Sequence, residues 1–329
     1  MISETDLAIV HALQLNPRAT WRDIGGALEL SAETVSRRWE ALRDEGTAWI
    51  MPVPGPRYLS GGASAFVFLA SAASHQNQLV ERLCGNPAFG TVSRVAGPHD
   101  LAVDCFAGSH EELAAVLTTA FADAPEVLAR DVLLVTRLFR QAYEWHEDAL
   151  AHGPASSLAP PRGAARPTFS SDATDGALIR ALAQDGRIGW AELAATCGIS
   201  PQTARRRVDR LVDAGLLAFR CDTAAEVHPG QRDVTLVLEV PPDRLEPVGR
   251  YCAALPSCRV SAQVLGAGNL LATLRVRDLL AVHALEQDLA RAAPGTRVVS
   301  RHPVFRTDKR MGRLLGPGGR AAGVVPLPL

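Results

Sequence analysis

A shift of 169 residues lays this sequence onto itself without a gap. Thr5-Asp6 falls on Thr174-Asp175, Arg18 on Arg187, Trp21 on Trp190, Ser31 on Ser200, Arg37-Arg38 on Arg206-Arg207 and Gly46 on Gly215. The register still holds at Pro87/Pro256, Gly97/Gly266 and Pro125/Pro294. Chance does not keep one register over roughly 120 positions, so the chain is two copies of one two-part unit. Any fold proposed for one copy must suit the other.

Composition narrows the classes. With 47% hydrophobic and 21% charged residues the chain is globular, neither disordered nor collagenous. The longest nearly uncharged apolar run, Ala63 to Ala73, is about half of the ~20 residues that cross a bilayer, so no membrane partner is expected. Met1-Ile2-Ser3-Glu4-Thr5-Asp6 is acidic where an export signal would be basic, and a cytoplasmic location is expected. The six cysteines include no C-x-x-C pair and are expected as reduced, packed thiols, with neither metal nor cofactor. The net charge of −1 requires that any nucleic-acid surface gather its positive charge on one face.

Residues 149–171, rich in Pro, Gly, Ser and Ala between His152 and Pro167, read as a linker able to span about 50 Å when extended. Residues 316–329 read as a flexible tail. The remaining chain divides into a first helix-turn-helix domain (1–60), a first sheet domain (61–148), a second helix-turn-helix domain (172–230) and a second sheet domain (231–315).

Three short helices fit the start of each copy. Ser31 and Ser200 are placed as N-caps of the third, Gly46 and Gly215 as its C-terminal stops. On a wheel of about 100° per residue, Val35, Trp39 and Leu42 form the buried stripe, as do Ala204, Val208 and Leu211. Glu33, Ser36 and Arg37 stand away from it in copy one; Gln202, Arg205 and Arg206 do so in copy two. Arg and Gln side chains match guanine and adenine edges in the major groove. Arg38 and Arg207 flank the core and suit either phosphate or an intramolecular carboxylate. The expected DNA-contacting set is therefore Ser31, Glu33, Thr34, Ser36, Arg37 and Arg38 with Ser200, Gln202, Thr203, Arg205, Arg206, Arg207 and Arg210. Arginines ordinarily belong to solvated helix faces; recurrence at matched positions of two tri-helical units favours the nucleic-acid use.

Each copy then changes to strand periodicity in the order β-α-β-β-α-β, a ferredoxin-like α+β sandwich with one sheet face left for a partner sheet. The fold class is thus two winged-helix/helix-turn-helix domains alternating with two ferredoxin-like domains. The turn between the middle strands reads Gly97-Pro98-His99-Asp100 in one copy and Gly266-Ala267-Gly268-Asn269 in the other. Glycine there lets backbone approach a ligand, and Asp100 or Asn269 is able to hold an ammonium or amide group. The alternative is an ordinary hairpin turn. Gly97, His99, Asp100, Gly266, Gly268 and Asn269 are the candidate ligand residues.

The stretch Asp185-Gly-Arg-Ile-Gly-Trp-Ala-Glu-Leu-Ala194, followed by Ile199-Ser-Pro-Gln-Thr203 and Arg206-Arg207-Val-Asp-Arg-Leu-Val-Asp-Ala-Gly215, resembles the helix-turn-helix of the Lrp/AsnC family of bacterial transcription regulators. The β-α-β-β-α-β part is similar to that family's sensing domain. The resemblance implies a sequence-specific regulator that binds double-stranded DNA and responds to an amino acid or related small molecule held near Gly97 to Asp100. Ordinary members pair as dimers. The tandem chain is expected to pair within itself as a pseudo-dimer, to associate further as a homo-oligomer, and to read an imperfect palindrome. No catalytic triad or phosphate-binding glycine loop is present, and a non-enzymatic role is expected. Two alternatives stay open: a siroheme-decarboxylase-like enzyme of the same architecture, with His99 as its obvious candidate residue, and a regulator in which only the second helix-turn-helix binds DNA.

Overall fold

The computed structural model describes residues 2–146, 158 and 172–329. The first head comprises α1 (Glu4–Leu15), α2 (Trp21–Leu28), α3 (Ala32–Asp44) and the strand β1 (Ala48–Pro54). A short α4 (Pro56–Gly61) leads to β2 (Ala63–Ser71), α5 (Gln76–Gly85), β3 (Phe89–Val95), β4 (Leu101–Ala107), α6 (His110–Phe121) and β5 (Val127–Arg140). The second copy repeats this as α7 (Ala173–Gln184), α8 (Trp190–Cys197), α9 (Pro201–Asp213) and β6 (Leu217–Thr223), then β7 (Arg232–Glu239), α10 (Leu245–Ala254), β8 (Cys258–Leu265), β9 (Leu270–Val276), α11 (Leu280–Ala292) and β10 (Arg297–Arg310). Two short strands close the chain, β11 (Arg313–Leu315) and β12 (Ala321–Val324). The expected linker, 149–171, lies outside the described residues except Leu158, which is buried in the first head's core.

The partner sheet that each ferredoxin-like half needs is the other half. Among the described residues, β3-β4-β2-β5-β8-β9-β7-β10 are joined antiparallel in that order, and β10 returns to β3 to close a barrel. The long strands β5 and β10 make the closure, each pairing with a strand of its own half along one stretch and of the other half along another. β2 is consequently apolar on both faces. Ala65, Val67 and Leu69 pack under α5 and α6, while Phe68 points inward to meet Leu133, Val237, Ala262, Val264 and Leu271. A strand covered on both sides reads as a continuous hydrophobic run, as Ala65-Phe-Val-Phe-Leu-Ala70 does.

The heads also pair. β1 and β6 form an antiparallel two-stranded ribbon in which Met51 lies opposite Arg220, its own equivalent under the 169-residue shift (220 − 51), so the pseudo-twofold axis passes through that pair. Around it sits a reciprocal clasp. Arg18 donates to the carbonyls of Gly186 (2.6 Å) and Ile188 (3.4 Å) and stacks on Trp190 at 4.1 Å. Arg187 donates to the carbonyls of Pro17 (2.7 Å) and Ala19 (2.8 Å) and stacks on Trp21 at 3.7 Å. Burial pushes the pKa of each guanidinium down to about 10, which leaves both protonated at neutral pH. Each arginine thus satisfies two backbone acceptors of the opposite head and covers its indole.

Residues 316–329, expected as a loose tail, instead fold back over the molecule. β12 pairs with β11, the Ala321 N–H donates to the Gly46 carbonyl, Arg320 pairs with Glu226, and Tyr58 donates to the Pro328 carbonyl. The glycines that suggested mobility serve a tight turn: Gly318 and Gly319 both adopt positive φ. This segment ties the first head to the second half.

Because each clasp arginine holds two carbonyls and an aromatic face, Arg18→Ala or Arg187→Ala is expected to cost about 3 kcal/mol of unfolding free energy. Urea melts followed by tryptophan fluorescence check this; either variant melting like the parent would show that the clasp does not hold the heads.

Candidate nucleic-acid interface and cationic cavity

Helices α3 and α9 begin alike. The Ser31 hydroxyl accepts the Thr34 N–H at 3.1 Å and the Ser200 hydroxyl accepts the Thr203 N–H at 3.2 Å; each serine also donates to its threonine hydroxyl at 2.9 Å. Val35, Trp39 and Leu42 are buried on one helix, and Ala204, Val208 and Leu211 on the other. Opposite them Glu33, Arg37 and Glu40, and Gln202, Arg205 and Arg206, are exposed.

The arginines divide into two kinds. Arg38 pairs with Asp6 at 2.9 Å, and Arg207 pairs with Asp172 and Asp175 at 2.9 Å each. Of the two uses the sequence left open, these two make the intramolecular one, tying α3 to α1 and α9 to α7. Arg210 lies 3.5 Å from Asp175, Arg205 lies 3.7 Å from Asp209, and Ser36 donates to Glu40 at 3.0 Å. Arg37 and Arg206 make no hydrogen bond or ion pair among the described residues. They are exposed at equivalent positions of the two heads.

The two middle-strand turns are used structurally. The Asp100 carboxylate accepts the Ser71 N–H at 2.7 Å; the Asn269 side chain accepts the Val240 N–H at 2.9 Å and donates to the Val240 carbonyl at 2.7 Å. Ser71 and Val240 are repeat equivalents, so both Asx residues close the hairpin onto the same strand end. Gly97, at φ +109°, lies against the Arg301 carbonyl, and Gly266 lies against Leu133 and the Val132 carbonyl. At both places strands of opposite halves approach too closely for a side chain. Gly268 likewise abuts the Leu238 carbonyl.

His99 is different. Its Nε2 lies 3.3 Å from Asp131, and its ring centroid is 5.5 Å from that of His302, which stacks on Phe68 at 4.2 Å. His302 is fully buried, its Nε2 2.9 Å from the Ser300 hydroxyl, and burial together with the neighbouring His99 pushes its pKa down to about 4. The Nδ1 atoms of both rings are buried without a partner among the described residues.

A second polar centre sits where β6, β7, β8, β9 and β10 meet. Asp222 pairs with Arg220 (2.9 Å) and Arg259 (3.3 Å), and Asp233 with Arg259 (3.2 Å) and Arg275 (2.8 Å). Trp145 covers Arg259 and Arg275 at 5.2 and 5.1 Å. Beside this network opens a cavity of about 370 Å³, whose lining includes Arg232, Asp233, Arg275, Arg306, Thr307 and Arg310.

An AsnC-type helix-turn-helix domain model matches residues 2–43 and 172–212. An uncharacterized HTH-type transcriptional regulator of Pyrococcus abyssi is 30% identical over 112 residues, which cover 33% of this chain and 69% of that protein. Another, from Pyrococcus horikoshii, is 29% identical with the same coverage. This chain belongs to the Lrp/AsnC family. Among solved structures, the siroheme decarboxylase NirDL has the same fold along almost the whole length, with a TM-score of 0.60, 93% of each chain covered and 16% identity.

For an Lrp/AsnC chain read from sequence, two parts of this arrangement were missed. The clasp had left a signal, since Arg18, Trp21, Arg187 and Trp190 all survive the repeat alignment. The buried ion network had left none in the repeat, because copy one carries uncharged residues at its equivalent positions.

Burial alone would raise the pKa of Asp222, but Arg220, Arg310 and Arg259 outweigh it and hold the carboxyl at about 2. Its stabilising charge is therefore fully present above the ordinary value near 3.8 and is lost as pH falls toward 2. Asp222→Asn should destabilise the protein by about 3–5 kcal/mol at pH 7, because it strands buried guanidinium charge. In urea melts at pH 7, 4 and 3, the variant should lose less stability below pH 4 than the parent does; equal losses would refute the assignment.

Proposed function

We propose that this chain is a DNA-binding transcription regulator that presents two unlike reading helices from one pseudo-dimer. The observation that carries the reading is the pair Arg37 and Arg206: exposed, without an intramolecular partner among the described residues, and equivalent on helices joined by the clasp. Long guanidinium groups in that position reach base edges in a major groove. Family membership supports the same reading. The heads are unequal. α9 offers Arg205, Arg206 and Arg210 to solvent, whereas the exposed face of α3 sets Arg37 beside Glu33 and Glu40. The second head is the stronger anchor, and the two half-sites differ in sequence.

We infer that a small-molecule effector is held near His99. There the unpartnered ring nitrogens of His99 and His302 supply polar groups that the hydrogen-bonded Asp100 and Asn269 do not. An amino acid is the effector class that the family relationship suggests.

The decarboxylase reading has one observation in its favour, the full-length likeness of fold to NirDL. Titration with siroheme separates the two: an absorbance change at stoichiometric protein would favour the enzyme, and an unchanged spectrum the regulator.

Fluorescence anisotropy with duplexes from the chain's own upstream region tests DNA binding. Arg206→Ala should weaken binding by about 1–3 kcal/mol, roughly tenfold or more, with a smaller loss for Arg37→Ala. Parent protein that ignores such duplexes even at low salt would overturn the regulator reading.

A further inference from the structure

The repeat supplies an internal control for the buried charges. Asp222, Asp233, Arg259, Arg275 and Arg310 correspond, by subtraction of 169, to Val53, Ser64, Gly90, Phe106 and Gln141. Val53, Ser64, Phe106 and Gln141 line the equivalent space in the first half, which holds about 90 Å³ and has Asp104 and Arg220 as its charged lining residues among those described. The same strands in the same barrel therefore form without any of these charges. In the second half they are an addition that the fold does not require, and buried ion networks are costly to assemble.

The added charges do not balance. Arg220, Arg259, Arg275 and Arg310 face two carboxylates, Asp222 and Asp233. Of the four, Arg310 is the one that no carboxylate pairs with among the described residues. It is nine-tenths buried, donates to the Thr223 carbonyl at 3.4 Å, has no carboxylate within 4 Å among the described residues, and lines the cavity. The other charged groups on the lining are largely committed. Arg306 pairs with Asp308 at 2.9 Å, Glu226 pairs with Arg320, Arg275 pairs with Asp233, and Arg232 donates to the Gln231 carbonyl at 2.7 Å. The cavity thus holds four guanidinium groups against two carboxylates, with a buried, unpaired one in its wall and the Thr307 side chain beside it.

From this imbalance we propose that the cavity is a binding site for a small multivalent oxyanion, a di- or tricarboxylate or a phosphorylated metabolite, with Arg310 as its central donor. A guanidinium presents paired N–H donors that fit carboxylate and phosphate oxygens alike. A cavity of about 370 Å³ is within the range of small-molecule sites and suits a molecule of citrate size. The proposal needs nothing from the DNA-binding reading and stands if that reading fails.

The test is isothermal titration calorimetry on the full chain at low salt, with citrate and inorganic phosphate as probes and glutamine as an uncharged-side-chain control. Saturable one-to-one heat with citrate or phosphate, and none with glutamine, is expected; the stronger of the two identifies the carboxylate or the phosphate source. Arg310→Gln installs the residue that copy one carries at this position and should weaken binding at least tenfold. Should that variant fail to fold, Arg306→Gln, at an exposed wall position, should still weaken binding severalfold. No saturable heat from either anion, or unchanged affinity in the folded variants, overturns the proposal.

Discussion

A four-stranded sheet that is apolar on both faces cannot leave one of them in water. The rest of this molecule follows from how that requirement is met. Phe68 and Leu133 of one half and Val237, Val264 and Leu271 of the other bury each other, and β5 and β10 are long enough to be strands of both halves at once. Closure also removes the open edges that would otherwise invite pairing with other chains. It fixes a pseudo-twofold relation between the copies, and the heads inherit it. The ribbon in which Met51 faces Arg220 and the crossed stacking of Arg18 on Trp190 and Arg187 on Trp21 follow the same axis.

Much of this was legible in the sequence because the repeat doubled every signal. The helices with their serine caps, the β-α-β-β-α-β order and the need for a partner sheet could be read from either copy. β1 was harder: Ala-Trp-Ile-Met-Pro-Val-Pro contains two prolines, which argue against a strand. It forms because, among the described residues, β1 pairs with β6 alone, so half of its N–H groups need no ladder partner. The C-terminal segment misled for the related reason that glycine and proline mark turns as well as loose chain. The turn glycines at positions 97 and 266 were read as openings for a ligand, yet they are places where strands of opposite halves touch.

Site residues were less legible than fold, because a residue's type does not say what faces it. Arg38 and Arg37 are neighbours in sequence, and both suit phosphate. Only the position of Asp6 one helix away gives the first an ion-pair partner and, among the described residues, leaves the second to reach outward. The same holds for Arg207 and Arg206, with Asp172 and Asp175 in the place of Asp6. The network around Arg310 lies beyond such reasoning altogether, since its members come from β6, β7, β8, β9 and β10 and meet only after the barrel closes. What duplication hides, divergence then shows: where the copies differ at buried positions, the simpler copy proves that the fold did not demand the difference.

The clasp also limits how a small molecule can act on the heads. A ligand shifts an equilibrium only by the difference in its affinity for the two states. Separating the heads would break both halves of the clasp, about 6 kcal/mol by the estimate made for each arginine. Coupling between sites is typically 1–3 kcal/mol, well short of that. Motion that leaves the clasp intact carries both heads together relative to the barrel. The heads are tied to the barrel side by several bonds: Arg259 pairs with Asp222, Arg310 donates to the Thr223 carbonyl, and Arg313 donates to the carbonyls of Ala183 and Gln184. For the regulator proposed above, these ties favour a ligand that tilts a rigid pair of heads over one that changes the distance between them.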